Sequence, residues 1–433
     1  MKKQSIGVGL MGMGVIGGQV AKVLLDESRH LSEDIGCSVV LRKIKITPAN
    51  LERPQVMAMD PKLFTTDENE FFNEPGIDII VEVIGGERPA FDYLKRAMTT
   101  GRSAVTSNKE VIAKRGAELR AISQQNNVNL RYGASVGGGI PLVAPFMFEL
   151  VANKLSSIHA IVNGTTNFIL TRMEKDGMEF GAALKEAQRR GYAESDPRND
   201  IEGIDACYKI AILATLATHK QVRPDDVYHE GISRLTSHDF KYARELGYAI
   251  KLLAIAKDEN GAVEARVHPV FIPEDSLIAS VNDVYNAILV EGDLVGKVLF
   301  FGQGAGPLPT SSNVVADVVA EAQDIVAGVG CRSKWIMQTG TAIKPMSDID
   351  SRYYLRLNVA DRPGVLAQIA RVLGDNNISI ASCIQKETDN AAQTAEIVIM
   401  THMAREKAMQ KALAELKGLA VMKGIGNFVR VES

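Results

Sequence analysis

The sequence predicts an α/β protein: a Rossmann-type, doubly wound parallel sheet, then an α+β domain, then a small C-terminal βαββαβ unit. Three observations predict it. The turn Gly12-Met13-Gly14-Val15-Ile16-Gly17 follows the apolar run Ile6-Gly7-Val8-Gly9-Leu10, which reads as strand, tight turn, helix. Short β-rich runs alternate with helical patterns up to about residue 138. Beyond about residue 350 the period switches from two to 3.6 and back over roughly 80 residues, the length of one small domain.

In chain order, strands are expected at Ser5 to Leu10, Val39 to Ile46, Ile77 to Val83, Ser103 to Thr106 and Val128 to Tyr132. A helix from Pro89 to Thr100 carries Phe91, Leu94 and Met98 on one face, with Gly101 as its stop. Gly137-Gly138-Gly139 and Ile140-Pro141 mark the exit from a first domain, residues 1–138. Residues 139–309 form a second domain, with strands at Ile158 to Val162, Val263 to Phe271 and Ala287 to Gly292. A helix over Ile204 to Ala217 carries an apolar stripe at Ala206, Ile210, Leu213 and Ala217. A helical pattern over residues 310–330 could return to the first domain. Lys344 to Ser351 is polar and reads as a linker, so truncation after Met346 is expected to leave catalysis intact. The third domain, 350–433, alternates at Tyr353, Leu355, Leu357 and Val359, turns at Asp361-Arg362-Pro363-Gly364, and reads as ferredoxin-like.

The 433 residues exceed one core, and 49 basic against 52 acidic side chains leave a net charge of −3. That balance, without blocks of like charge, argues against nucleic acid and for small-molecule partners. Cys37, Cys207, Cys331 and Cys383 are scattered, without CxxC, as in a reducing cytoplasm. Seven histidines form no HExxH, and no apolar stretch reaches the length of a membrane span. Lys2 and Lys3 precede an apolar run as in an export signal, but Gly7, Gly9, Gly12 and Gly14 break it.

The glycine turn suits a dinucleotide pyrophosphate. The first glycine permits the turn, the second admits the phosphates, and the third lets helix pack on strand. Three other stretches carry reactive groups. Thr106-Ser107-Asn108-Lys109 follows a strand end, where ligands bind in open α/β sheets; the lysine suits a substrate oxygen, or simply a solvated helix start. Gly191 to Asp205 crowds acids before and into a helix, and Asp205 and Lys209 share a face four residues apart. That suits a proton-transfer group beside carboxylates, or equally a capping cluster with an ion pair. Phe301 to Pro307 reads as a glycine-rich loop, for cofactor approach or for turning the chain.

Taken together these motifs resemble homoserine dehydrogenase of the long form, with a C-terminal ACT domain, over essentially the whole chain. The likeness rests on the glycine turn, Val83-Ile84-Gly85-Gly86 with Pro89-Ala90, Val105 to Lys109, Asn163-Gly164-Thr165-Thr166-Asn167-Phe168-Ile169-Leu170, Gly191 to Lys209, and Gly304-Ala305-Gly306. It implies hydride transfer between aspartate 4-semialdehyde and homoserine with NADP or NAD. Lys209 is then the proton donor and acceptor, Lys109 places substrate and nicotinamide, and Asp200 orients Lys209. Glu194 and Asp205 face the homoserine ammonium, with Thr165 and Gly191 as cofactor or substrate neighbours. Gly12 to Gly17, Thr47, Gly85, Gly304 and Gly306 line the cofactor.

Two departures stand out. Thr47 and Pro48 occupy the end of the second strand, where the family often has an arginine for the 2′-phosphate of NADP. Lys43, Lys45 or Arg53 are the available substitutes. The family's sodium site uses a glutamate side chain where this chain has Gly133. The remaining ligands are the carbonyls of Val136, Gly138 and Ile140, which argues against sodium unless water completes the site. The ACT resemblance, through Asp361 to Leu366, implies a threonine effector near Asp361, Gly364 and Asn377, and a homo-oligomer. The alternatives are another Rossmann reductase of a small amino-acid-like aldehyde, or a non-catalytic amino-acid sensor; both lysines argue against the sensor.

Overall fold

The computed structural model describes residues 3, 5–259, 261–332, 335, 337–389 and 391–432. It divides into two compact units. One comprises Met1–Ser156, Tyr208–Asp226 and Leu289–Thr341, the other Ser157–Cys207, Val227–Ile288 and Ala342–Ser433.

In the first unit, β1 (Ser5–Met11), β2 (Ser38–Lys45), β3 (Phe64–Thr65), β4 (Ile77–Glu82), β5 (Ser103–Thr106) and β6 (Leu130–Arg131) form a sheet. Its order is β3-β2-β1-β4-β5-β6 and every pair is parallel. The order reverses beside β1, so the loop after β1 opens into the crevice at the carboxyl ends of the strands. Ile6, Val8 and Leu10 are fully buried, as a strand covered on both faces requires. β3 was not expected from sequence, and β6 is shorter than the expected Val128 to Tyr132.

The helix Pro307–Ala327 belongs to this unit. Its Val314, Val315, Val318 and Ala322 share one core with Val20, Ala21 and Leu24 of the helix Val15–Asp26. Pro307 at the first position and Gly328 at φ 69° past the end mark its limits, as the differing needs of the two helix termini dictate.

The second unit holds β7 (Leu155–Ile161), β8 (Tyr228–His229), β9 (Tyr248–Glu259), β10 (Ala262–Pro273) and the start of β11 (Tyr285–Gly292). β12 (Gly296–Gln303) lies in the first unit. The C-terminal part supplies β13 (Asp350–Ala360), β14 (Ile380–Asp389), β15 (Thr394–Thr401), β16 (Ala404–Arg405) and β17 (Met422–Val431). With helices Val365–Asp375 and Glu406–Lys417 these give the expected ferredoxin-like order, with β17-β13-β15-β14 antiparallel. The polar segment expected as a linker does not hang free of the sheet. β17 also pairs with β10, through Val270 with Arg430 and Phe271 with Val431, so the C-terminal strands continue the sheet β11-β7-β9-β10. Lys344 is pinned as well: its N–H donates to Val263 O (2.9 Å) and its ammonium reaches Glu259 at 2.7 Å.

Buried ions reinforce this junction. Arg356 donates to Asp239 (2.8 Å) and Glu396 (2.9 Å), while Tyr354 Oη and Asn427 Nδ2 also donate to Asp239. Arg430 donates to Glu406 (2.6 and 2.9 Å) and Glu230 (3.0 Å). Each guanidinium fork meets enough acceptors to offset its desolvation.

Candidate active site

The first unit builds the glycine turn at the end of β1. Gly12 has φ 102°, and its N–H donates to Lys45 O (3.0 Å). A Cβ on Gly17 would stand 2.1 Å from Gly12 O, so only glycine lets the helix Val15–Asp26 sit this close to β1. A Cβ on Gly14 would meet nothing within 4 Å, which leaves that face open. Gly14 caps the helix without a side-chain bond, and no acid stands in its first turn. Free N–H groups facing an open cradle fit a dinucleotide pyrophosphate. Met13 is buried and Val15 exposed. Arg53 Nη1 (3.3 Å) and Gln55 Nε2 (3.1 Å) donate to Met13 O, so a guanidinium stands at the rim of the turn. Lys43 is instead held by Glu70 (3.1 Å), and Thr47 is an exposed residue before the short turn Pro48–Asn50.

Beside that turn, Glu82 ends β4 wholly buried. Its carboxyl accepts from the N–H groups of Ile84 (2.8 Å) and Gly85 (3.3 Å) and from Thr106 Oγ1 (2.6 Å). Burial pushes its pKa up, against the pull of these donors. Gly85 and Gly86 take positive φ of 77° and 73°, and Asn108 Nδ2 donates to Gly86 O (2.6 Å). Asn108 Oδ1 in turn accepts from Val111 N–H (3.2 Å), capping the helix Lys109–Gln125. Lys109, half-buried, is the first residue of that helix. Glu82 therefore positions Lys109 through Thr106 and Asn108. Sequence reasoning missed it, although a lone acid in the run Ile79 to Ile84 was the signal.

Lys209 lies on the helix Ile204–Thr218 and is only 8% exposed. From Tyr208 onward this helix belongs to the first unit and runs alongside Lys109–Gln125 in the same direction. Near one end Lys114 Nζ lies 5.7 Å from the Tyr208 ring; near the other, Arg120 and His219 both stack on Trp335. Ile112, Gly116, Ala211 and Thr215 face one another between them. Lys109 is the first residue of its helix and Lys209 the sixth of its own, so both lie in the leading halves of the pair. Counting 1.5 Å of rise per residue from the Lys114–Tyr208 level, they are offset by about 9 Å along the axis.

The second unit gathers the acids. Asn163 Oδ1 accepts from Thr166 N–H (2.9 Å), capping the helix Gly164–Asp176. Its Nδ2 donates to both Asp200 Oδ1 (2.7 Å) and Asp205 Oδ2 (2.9 Å). One amide therefore holds two carboxylates, and Asp205 is 5% exposed. Asn163 is a positioning residue that the sequence offered only as part of a longer motif. Thr165 Oγ1 donates to Tyr192 O (2.6 Å), next to Gly191 at φ 76°. Gln188 Nε2 donates to Glu194 O (3.1 Å), leaving the Glu194 side chain exposed.

The glycine-rich loop is shorter than expected, because Phe301, Gly302 and Gln303 end β12. Gly304 is buried against Gly138, and Gly306, at φ 119°, caps the helix Pro307–Ala327. Asp361, Gly364 and Asn377 are exposed. Gly364 and Asn377 flank the helix Val365–Asp375 at opposite ends, about 16 Å apart by helical rise. Within one copy they do not form a single site. Among the described residues no cluster of three or more His, Cys, Asp or Glu side chains could hold a metal, and no helix is long and apolar enough to cross a membrane.

Comparison with known proteins decides the family. Three family models match in order: the NAD-binding domain of homoserine dehydrogenase over residues 12–133, homoserine dehydrogenase over 141–319, and the ACT domain over 353–421. A homoserine dehydrogenase of Neisseria gonorrhoeae is 40% identical, with 99% of each chain covered. The chain belongs to the homoserine dehydrogenase family. It is an NAD(P)-dependent oxidoreductase acting on a CH–OH group. The crystal structure of a homoserine dehydrogenase from Thiobacillus denitrificans superposes with TM-score 0.92 at 39% identity, with both chains fully covered. A hyperthermophilic archaeal homoserine dehydrogenase in complex with NADPH superposes at TM-score 0.63 and 25% identity, over 73% of this chain and 97% of that one.

Proposed function

We propose that Lys209 delivers and removes the proton on the substrate oxygen as aspartate 4-semialdehyde and homoserine interconvert, with Lys109 holding that oxygen and the nicotinamide in line. What supports this reading is the parallel helix pair that carries one lysine in the leading half of each member. A bound nicotinamide supplies or accepts the hydride. As negative charge grows on the aldehyde oxygen, the Lys209 ammonium stabilises it and gives up its proton; in the reverse direction the neutral amine takes it back. Glu194 and Asp205 receive the substrate ammonium, and Asp200, tied to Asp205 through Asn163, keeps the acidic face in register for Lys209. Thr165 and Gly191 border the substrate.

Gly12 to Gly17 hold the pyrophosphate, with Gly85, Gly304 and Gly306 lining the remainder of the cofactor site. We assign NADP as the preferred cofactor, read by Arg53. Its guanidinium stands at the rim of the turn, whereas Lys43 is committed to Glu70. The effector is threonine, received by two copies that together bring Gly364 and Asp361 of one to Asn377 of the other. The open edge of β14 supports such pairing.

One assay separates these readings: reduction of aspartate semialdehyde by NADPH and NADH in parallel, with and without threonine. Arg53→Ala should raise KM for NADPH about 10-fold and leave NADH unchanged, the effect of losing one charge-assisted bond. An equal rise for both cofactors removes Arg53 from phosphate recognition. Glu194→Gln should raise KM for homoserine by about 10-fold with cofactor KM constant; an unaltered KM defeats the ammonium role. Threonine without effect on the full chain would empty the effector assignment.

A further inference from the structure

The resemblance implies a sodium ion in the turn around Gly137 to Ile140, held by backbone carbonyls and a glutamate side chain. The residues of this chain do not fit one. Gly133 stands where the glutamate would be. Asn313, from the helix Pro307–Ala327, points its Nδ2 at Gly138 O (2.9 Å) and Ile140 O (3.4 Å), two of the carbonyls that would face the ion. A carboxamide nitrogen carries two protons, enough for two converging acceptors. The flipped amide would set its oxygen against two carbonyl oxygens, so chemistry fixes the orientation.

The other end of the same amide explains Gly133. A Cβ built there would lie 2.8 Å from Asn313 Oδ1 and 3.1 Å from Asp317 Oδ2. A side chain at 133 would therefore require the Asn313 amide to move from its place. Asp317, whose carboxylate also borders this point, accepts the Gly133 N–H through Oδ2 at 2.7 Å.

We propose that Asn313 is a built-in substitute for the cation, and that this enzyme needs no monovalent ion. The amide ties the Gly137 to Ile140 turn to the helix carrying it. The same turn packs on the loop before that helix: Gly139 N–H donates to Gln303 O (3.2 Å), and a Cβ on Gly138 would come within 2.6 Å of Gly304. Asn313 is thus a positioning residue that locks two glycine loops together, the task a bound ion would otherwise perform.

The test compares cation-stripped protein in sodium, potassium and choline chloride at equal ionic strength, reading both the thermal midpoint and kcat/KM. For the unaltered chain the midpoint should vary by less than about 1 °C and kcat/KM by less than about two-fold, because no site is filled. Asn313→Asp keeps the shape but replaces two donated protons by an acceptor facing two carbonyls. Its midpoint in choline should fall by about 3–5 °C and recover saturably with sodium. The double variant Gly133→Glu with Asn313→Ala restores a carboxylate ligand and removes the amide, so it should acquire the same sodium dependence. A saturable, sodium- or potassium-specific gain in the unaltered chain overturns the proposal. So does an Asn313→Asp protein that is as stable in choline as the unaltered chain. If that variant does not fold, the double variant and the unaltered chain still decide.

Discussion

Lys209→Met is expected to lower kcat by about 10²–10⁴, the range for a lost proton-transfer group, with the affinity for NADPH little changed. Methionine is a fair replacement because Lys209 is buried on a helix whose Ala206, Ile210 and Leu213 already belong to the core. The fold should survive, which a thermal melt checks. Lys109→Met should also lower kcat if, as proposed, it holds the same oxygen. If both act on one atom, the double variant should lose much less than the product of the single losses. Near-normal turnover by Lys209→Met removes that residue from the chemistry. Strictly multiplicative losses would mean that the two amines serve different atoms. Single-turnover measurements at saturating substrate separate chemistry from product release, and only the chemical step should slow.

What could be read directly from sequence was local. The glycine turn announced β1 and its helix because Gly12 and Gly17 are needed within six residues of each other, one for its positive φ and one for close approach. The C-terminal βαββαβ order was equally legible, since its two helices are amphipathic and the unit has its own core. β9 was missed because its run is buried nearly throughout, with Lys251 buried in the middle, so no period of two is visible. β12 was missed for the opposite reason: none of its residues is buried, and it ends in Gly302 and Gln303. In the proposed site, the lysines and acids were candidates from sequence because of their charge. Glu82, Asn108 and Asn163 are less conspicuous, because they work through bonds to partners 22 to 42 residues away, such as Thr106, Gly86 and Asp205. Asn313 is the extreme case, a polar residue in an apolar helix whose purpose appears only beside Gly138 and Ile140.

Removing the chain after Met346 should not yield a sound catalytic body, contrary to what the polar linker suggests. The cut would strip β17 from β10 and expose that edge. It would also take Arg356 from Asp239 and Arg430 from Glu230, and Glu432 from Arg266 and Lys257. Asp239 is fully buried, so it would be left as a carboxylate without its guanidinium. Breaking such a pair from one side costs about 3–5 kcal/mol, much of the stability of an ordinary domain. Arg356→Met isolates this effect without deleting anything. It should destabilise the second unit by about 3–5 kcal/mol in denaturant melts, whereas Arg356→Met with Asp239→Leu should recover a large part of that loss, since apolar pairs of similar volume replace buried ion pairs well. A truncated chain with full stability and turnover would refute the shared-sheet argument, and so would an Arg356→Met protein that melts like its parent. A ligand that bound the ACT domain and shifted β13 or β17 would act on strands continuous with β10.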